Sequence, residues 1–107
     1  MTLLYNKCVL KTDVLNYLRT IPRGKVVTYS QIGKALGTKG YRAIGNILHN
    51  NPDPDYYPCF KVVNAKGMLA EHFGLPGGKH TQKERLENDG VEVIDFMVDL
   101  EKYQWKN

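Results

Sequence analysis

The sequence predicts an α+β fold: a single winged-helix-like domain with a helix-turn-helix and small β-hairpins. Three observations point there. Two short amphipathic segments follow one another across a glycine-containing turn between Thr28 and Asn50. Short β-branched runs, Val26-Val27-Thr28 and Lys61-Val62-Val63, are each bounded by turn residues. The chain has 107 residues, and a domain of that size buries one modest core and not two.

The elements follow in order. Asp13 to Ile21 carries Val14, Leu15, Leu18 and Ile21 at helical spacing, with Thr12 or Asp13 as its cap and Pro22 as its stop. Arg23-Gly24-Lys25 is a basic turn into the first strand. Thr28 and Gln31 then have the spacing of a capping box. Ile32, Ala35 and Leu36 supply the apolar face, and Gly37 is the expected left-handed terminator. A second helix runs from about Lys39 to Asn50, with Ala43, Ile44, Ile47 and Leu48 inward, and Asn51-Pro52 ends it. Pattern alone leaves two readings of this pair, a DNA-binding helix-turn-helix or a plain αα-hairpin.

Pro52 and Pro54 hold the following stretch as a loop. Asn64-Ala65-Lys66-Gly67 reads as a turn between the strand at Lys61–Val63 and a return strand at Met68-Leu69-Ala70. A glycine-rich loop through Gly77 and Gly78 precedes a charged helix from about His80 to Asn88. Weak alternation in Val91–Ile94 and Phe96–Leu100 predicts a terminal strand pair or an extended edge.

Composition excludes several classes. Apolar residues make up 42% and charged residues 24%, ordinary globular usage that rules against disorder and collagen-like order. The net charge of +4 permits attraction to a polyanion without demanding it. No apolar run approaches a membrane span, and the N-terminal residues lack a continuous apolar h-region, so a cytoplasmic setting (or a nuclear one in a eukaryote) is expected. Two cysteines and three histidines show no ligand spacing, so neither a metal nor another cofactor is expected. A monomer is the simplest assembly.

Cys59 stands between Pro58 and Phe60 at the end of the proline-stiffened loop, just before a strand. From the residues alone it is either a small buried hydrophobe or a reactive thiol; Cys8 reads as packing.

Four motifs in register resolve that ambiguity into an expectation: Gly24-Lys25-Val26-Val27-Thr28-Tyr29-Ser30-Gln31-Ile32, then Arg42-Ala43-Ile44-Gly45, then Asn51-Pro52, then Pro58-Cys59-Phe60-Lys61-Val62-Val63. In order and interval they resemble the C-terminal domain of the O6-alkylguanine-DNA alkyltransferases from about Val14 to Gly90, with Val91 to Asn107 beyond the match. The resemblance implies duplex DNA as partner, bound through the minor groove with little regard to sequence, and an alkylated guanine flipped out of the stack. It implies Cys59 as the irreversible alkyl acceptor. Tyr29 would crowd the target phosphate and donate a proton towards the guanine, with Thr28 and Ser30 beside it on the DNA. Arg42 would be the finger filling the gap in the duplex, while Ala43 and Gly45 allow close approach to the groove walls. Asn51 would tie the helix pair to the cysteine loop. Pro58, Phe60, Lys61 and Val62 would frame the pocket, and Phe73, Gly77 and Gly78 would fall near the loop that walls it.

One departure matters. The family carries His and then Arg after the cysteine, and the histidine, working through a water and a buried glutamate, draws off the thiol proton. Phe60 and Lys61 stand in those places, and phenylalanine offers neither donor nor acceptor. Lys61, or a water held by another group, would lower the thiol pKa, His72 in the pocket-loop region would be the candidate base, and Glu84 the nearest candidate glutamate, unless it belongs to a solvated face. Retention of Cys59 favours transfer; the alternatives are a non-catalytic alkyltransferase-like damage sensor and a winged-helix transcription regulator.

Overall fold

The computed structural model describes residues 7–70 and 74–106. Phe73 and His72, expected near the pocket, lie outside the described residues, as does the side chain of Cys8. The described elements are α1 (Lys7–Leu18), β1 (Val27–Thr28), α2 (Tyr29–Leu36), α3 (Tyr41–His49), a 3-10 turn (Cys59–Lys61), β2 (Val62–Val63), α4 (Lys79–Asn88) and α5 (Leu100–Tyr103).

The helix pair forms as the capping chemistry dictates. Thr28 Oγ1 accepts the Gln31 backbone N–H at 3.1 Å, and the Gln31 side chain returns to the Thr28 N–H, completing the box. Gly37 adopts the left-handed conformation at φ 73°, and the Thr38 N–H closes the helix end on the Gly33 carbonyl at 2.8 Å. Ile32 on α2 and Ile44 and Leu48 on α3 then face one core with Val14, Leu15 and Leu18 of α1. The first helix starts earlier than the apolar spacing suggested, at Lys7, and packs on both α2 and α3.

The strands depart from expectation. No hairpin joins Lys61–Val63 to Met68–Ala70. Instead β1 and β2 pair in parallel, Val27 with Val62 and Thr28 with Val63, while Met68 bridges to Met97. Burial explains the choice. Alternate residues of a strand face opposite ways, so Val27 and Val62 enter the helical core while Val26 and Val63 enter a second core with Leu69, Leu86, Val91, Val93 and Val98. A pair buried on both faces suits parallel strands linked by a helical crossover.

The C-terminal segment belongs to this framework. A two-residue turn at Asp95-Phe96, both at positive φ (53° and 59°), pairs Ile94 with Met97 in a single bridge, where the terminal alternation had suggested a strand pair or an extended edge. A bulky residue at positive φ is strained; the Phe96 ring is held edge-on to His80 at 5.1 Å and beneath Lys79 Nζ at 4.6 Å. Beyond α5, the Val26 N–H donates to the Tyr103 carbonyl (2.9 Å) and the Trp105 N–H to the Val26 carbonyl (2.8 Å). Trp105 packs against Tyr17 with ring centroids 5.9 Å apart.

Lys61, 5% exposed, reaches from the cysteine turn to the chain between α1 and β1. Its ammonium donates to the carbonyls of Ile21 (3.3 Å) and Pro22 (2.9 Å) and pairs with Asp89 at 3.2 Å. Removing one partner of a buried pair strands the other charge. Asp89→Ala is therefore expected to lower stability by about 3 kcal/mol, with most of it recovered in Lys61→Met/Asp89→Ala; urea unfolding midpoints of the two variants check this.

Candidate functional site

The loop before Cys59 is stiffened by Pro52, Pro54 and Pro58 and pinned by one amide. Asn51 Oδ1 accepts the Asp53 N–H at 2.9 Å, and its Nδ2 donates to the Tyr57 carbonyl at 2.7 Å. The Cys59 N–H shares that carbonyl at 2.7 Å. Asn51, at the end of α3, thus ties the helix pair to the cysteine turn.

Cys59 is 7% exposed and borders the helical core, yet its side opens on a cleft of about 50 Å³ lined also by Tyr29, Gly45, His49, Val62 and Gln82. At about 10–15 Å³ of such space per water, the cleft holds only a few solvent molecules. Tyr29 reaches it from the first residue of α2. Gly45 borders it from α3, where a Cβ would meet nothing within 4 Å, so its missing side chain leaves the mouth open. Gly74 forms part of the opposite wall; a Cβ there would stand 2.6 Å from the His49 carbonyl, so only glycine permits that close approach.

Residues three and four apart share a helix face. Arg42, Gly45 and His49 therefore form one stripe along α3, placing exposed Arg42 one turn above the cleft mouth. No hydrogen bond or ion pair among the described residues engages its guanidinium.

Several expected site residues lie elsewhere. Thr28 is buried, its hydroxyl committed to the cap and to Ser30 Oγ at 3.1 Å, so it offers no surface contact; Ser30 is exposed beside it. Ala43 lies two residues from Gly45, on the far side of α3, in a groove with Leu10, Asn46 and Ile47. The Phe60 ring packs on the second core. Lys61, expected to lower the thiol pKa, is instead buried with Asp89, its ammonium committed to two carbonyls and a carboxylate; the cation that pulls on Cys59 is Arg85. Glu84 is exposed, on the solvated face; the half-buried carboxylate behind the cysteine turn is Asp89. Gly77 and Gly78, both at positive φ, form the turn into α4 rather than the cleft wall. Pro58 caps the 3-10 turn.

Sequence patterns do not single out His49 or Gln82, and both line the cleft. Gln82, within a run read as a charged solvated face, is fully buried; its signal was the four-residue interval to Leu86, which puts both on the inward face of α4.

Burial pushes the Cys59 thiol above its ordinary range, while the Asn51 side-chain hydrogen bond, the cysteine's own backbone and the Arg85 charge pull it down without prevailing. Burial also raises Tyr29, with the neighbouring Cys59 charge adding to it. At neutral pH the phenol is therefore a proton donor. Among the described residues no group of histidines, cysteines and carboxylates could hold a metal, and no helix is long and apolar enough to cross a membrane.

Residues 10–91 match the family model for the DNA-binding domain of 6-O-methylguanine DNA methyltransferase. The chain belongs to this family. Within it, the chain is 38% identical to a DNA base-flipping protein of Vibrio parahaemolyticus, over 88% of this chain and 93% of the relative. It is 37% identical to a bifunctional methyltransferase/endonuclease of Picrophilus torridus, but spans only 33% of that protein. A crystal structure of Schizosaccharomyces pombe Atl1 with damaged DNA containing O6-carboxymethylguanine superposes with a TM-score of 0.85 at 28% identity, covering 96% of this chain and all of the other. A Mycobacterium tuberculosis OGT–DNA complex gives 0.67 at 31% identity, over 75% of this chain and 48% of the other. The family member described here thus shares its length, C-terminal segment included, with the Atl1 chain, and only a domain with OGT.

Alkylation of Cys59 by iodoacetamide, located by peptide mass mapping, is expected to accelerate with pH to a midpoint above about 8.5, the free-thiol value. Asn51→Ala, which removes a bond that favours the thiolate, should move the midpoint higher still. A midpoint below the free-thiol value would contradict the dominance of burial.

Proposed function

We propose that this protein repairs DNA by capturing an alkylated guanine from the duplex and taking the alkyl group onto Cys59. The observation that carries the reading is the convergence of the Cys59 thiol, the Tyr29 phenol and the side-chain-free face of Gly45 on one cleft, one helical turn below an unengaged arginine. α3 would lie in the minor groove and Arg42 would fill the gap left by the extruded base, offsetting part of an unstacking cost of a few kcal/mol. Val62, in the cleft lining, would frame the captured base, and the cleft must widen to admit it.

The chemistry balances within the named groups. The thiol proton passes to solvent, and the thiolate lone pair forms the new S–C bond at the alkyl carbon. The C–O6 bond breaks with its electrons remaining on guanine, which takes a proton from Tyr29; water restores the phenol. The thioether does not revert, so each molecule acts once. Because burial keeps the thiol protonated, only a small thiolate fraction reacts at neutral pH.

A second reading is a damage sensor that captures the base without transfer. It is favoured by Phe60 and Lys61, which both turn away from the cleft and supply no base, and by the full-length match to the base-flipping relative.

Intact mass after incubation with duplex containing O6-methylguanine separates the two. Transfer predicts a gain of one CH2 per chain, lost in Cys59→Ala and accelerating about tenfold per pH unit below the thiol midpoint. No gain at any pH, with binding to the alkylated duplex retained, establishes the sensor. Under either reading Arg42→Ala weakens preference for alkylated over plain duplex, and binding of plain duplex falls steeply with salt.

A further inference from the structure

Gln82 is the most thoroughly engaged polar side chain behind the cleft, and the reaction as written leaves it without a role. It is fully buried on the inner face of α4. Its Nε2 donates to the carbonyls of both Phe60 and Val62 at 3.0 Å, and its Oε1 accepts the Ala70 N–H at 2.8 Å. One amide thereby fastens the turn that carries Cys59 to the segment at Ala70 that enters the cleft wall, since Ala70 and Gln82 both line the cleft. We infer that Gln82 is a positioning residue for Cys59: it holds the cysteine turn and the Ala70 wall at a fixed separation and supplies a buried donor to two carbonyl oxygens of that turn. The inference rests on Cys59 being the working group of the site, and its test is arranged so that the two can fail separately.

The physical argument has two parts. A side-chain amide presents two donors and one carbonyl acceptor, and here the two donors go to residues 60 and 62 of the cysteine turn while the acceptor takes the N–H of residue 70. An apolar residue of the same length fills the space but takes a partner from two carbonyls and one N–H, and buried groups that lose partners shift to find others. The second part is electrostatic. Carbonyl oxygens are the negative ends of the peptide dipoles. Stripped of the Gln82 donor in a site of low polarity, those within three residues of Cys59 oppose formation of its thiolate. Loss of Gln82 therefore acts on the thiol in the same direction as burial, through geometry that neither the Asn51 bond nor the Arg85 charge can replace.

Iodoacetamide alkylation of Cys59, with Cys8 replaced by alanine, reads this without DNA. In Gln82→Met the pH midpoint is expected to rise by about one unit, a roughly tenfold slower reaction at neutral pH. Affinity for plain duplex should stay within about twofold, a change of about 0.4 kcal/mol, because α3 is untouched. A merely structural role would lower the melting temperature and leave the midpoint in place. An unchanged midpoint in a cooperatively folded Gln82→Met overturns the inference. Should that variant fail to fold, Gln82→Asn, one methylene too short to span all three partners, carries the same expectation and the same refutation. Absence of alkyl transfer from O6-methylguanine in the unmodified protein would count against the proposed function alone; the alkylation profile would still decide the role of Gln82.

Discussion

Everything in this molecule is hung on two residue pairs. Val27 opposite Val62 and Thr28 opposite Val63 join segments from the two sides of the helix-turn-helix, and each valine is buried in one of two cores on alternate faces. Because the pairing is parallel, the chain between must cross over, and α2 and α3 are that crossover. The same two strands lead directly into the chemistry: β1 runs into Tyr29 at the start of α2, and β2 is entered from the turn bearing Cys59. A shift of one residue in register would exchange the core-facing sets on β2, turning the valine next to the cysteine turn into the wrong core. The site is as well defined as that register.

Around this frame the polar interior is used for holding rather than for proton transfer. Lys61 is consumed by two carbonyls and Asp89, Gln82 by three backbone groups, and Asn51 by the loop before the cysteine. Each binds a chain segment near Cys59 to another element, and none is a free base. The result is a thiol in a rigid setting whose reactivity is governed mainly by burial, opposed by weaker stabilisation from Asn51 and Arg85. The residue after the cysteine, Phe60, packs on the second core and offers the thiol neither donor nor acceptor.

The C-terminal segment has a similar consequence for Tyr29. Gln31, which closes the capping box below Tyr29, also donates to the Trp105 carbonyl, and Gln104 donates back to Gln31 at 2.9 Å. The helix start that carries the phenol is thus braced from the far end of the chain, on the side of β1 away from β2. The segment past Val91 is part of the site's support, and its inclusion in the likeness to Atl1 agrees with that.

The sequence by itself determined the parts whose physics is local. The capping box at Thr28 and Gln31, the glycine stop at Gly37 and the apolar face of Ile44 and Leu48 needed no distant partner, so α2 and α3 were legible at once. So was the motif register that picked out Tyr29, Arg42, Asn51 and Cys59. What depended on contacts far along the chain was not. Met68–Ala70 looked like a return strand because turn residues precede it, but the buried faces of Val62 and Val63 are satisfied by β1 instead. Lys61 read as a pocket cation and Gln82 as part of a solvated face because their partners, Asp89 in one case and the carbonyls of Phe60 and Val62 in the other, lie 20 or more residues away. Local spacing states which backbone conformation costs least; only the closed tertiary structure decides which polar groups find partners once water is gone, and that decision set the environment of the cysteine.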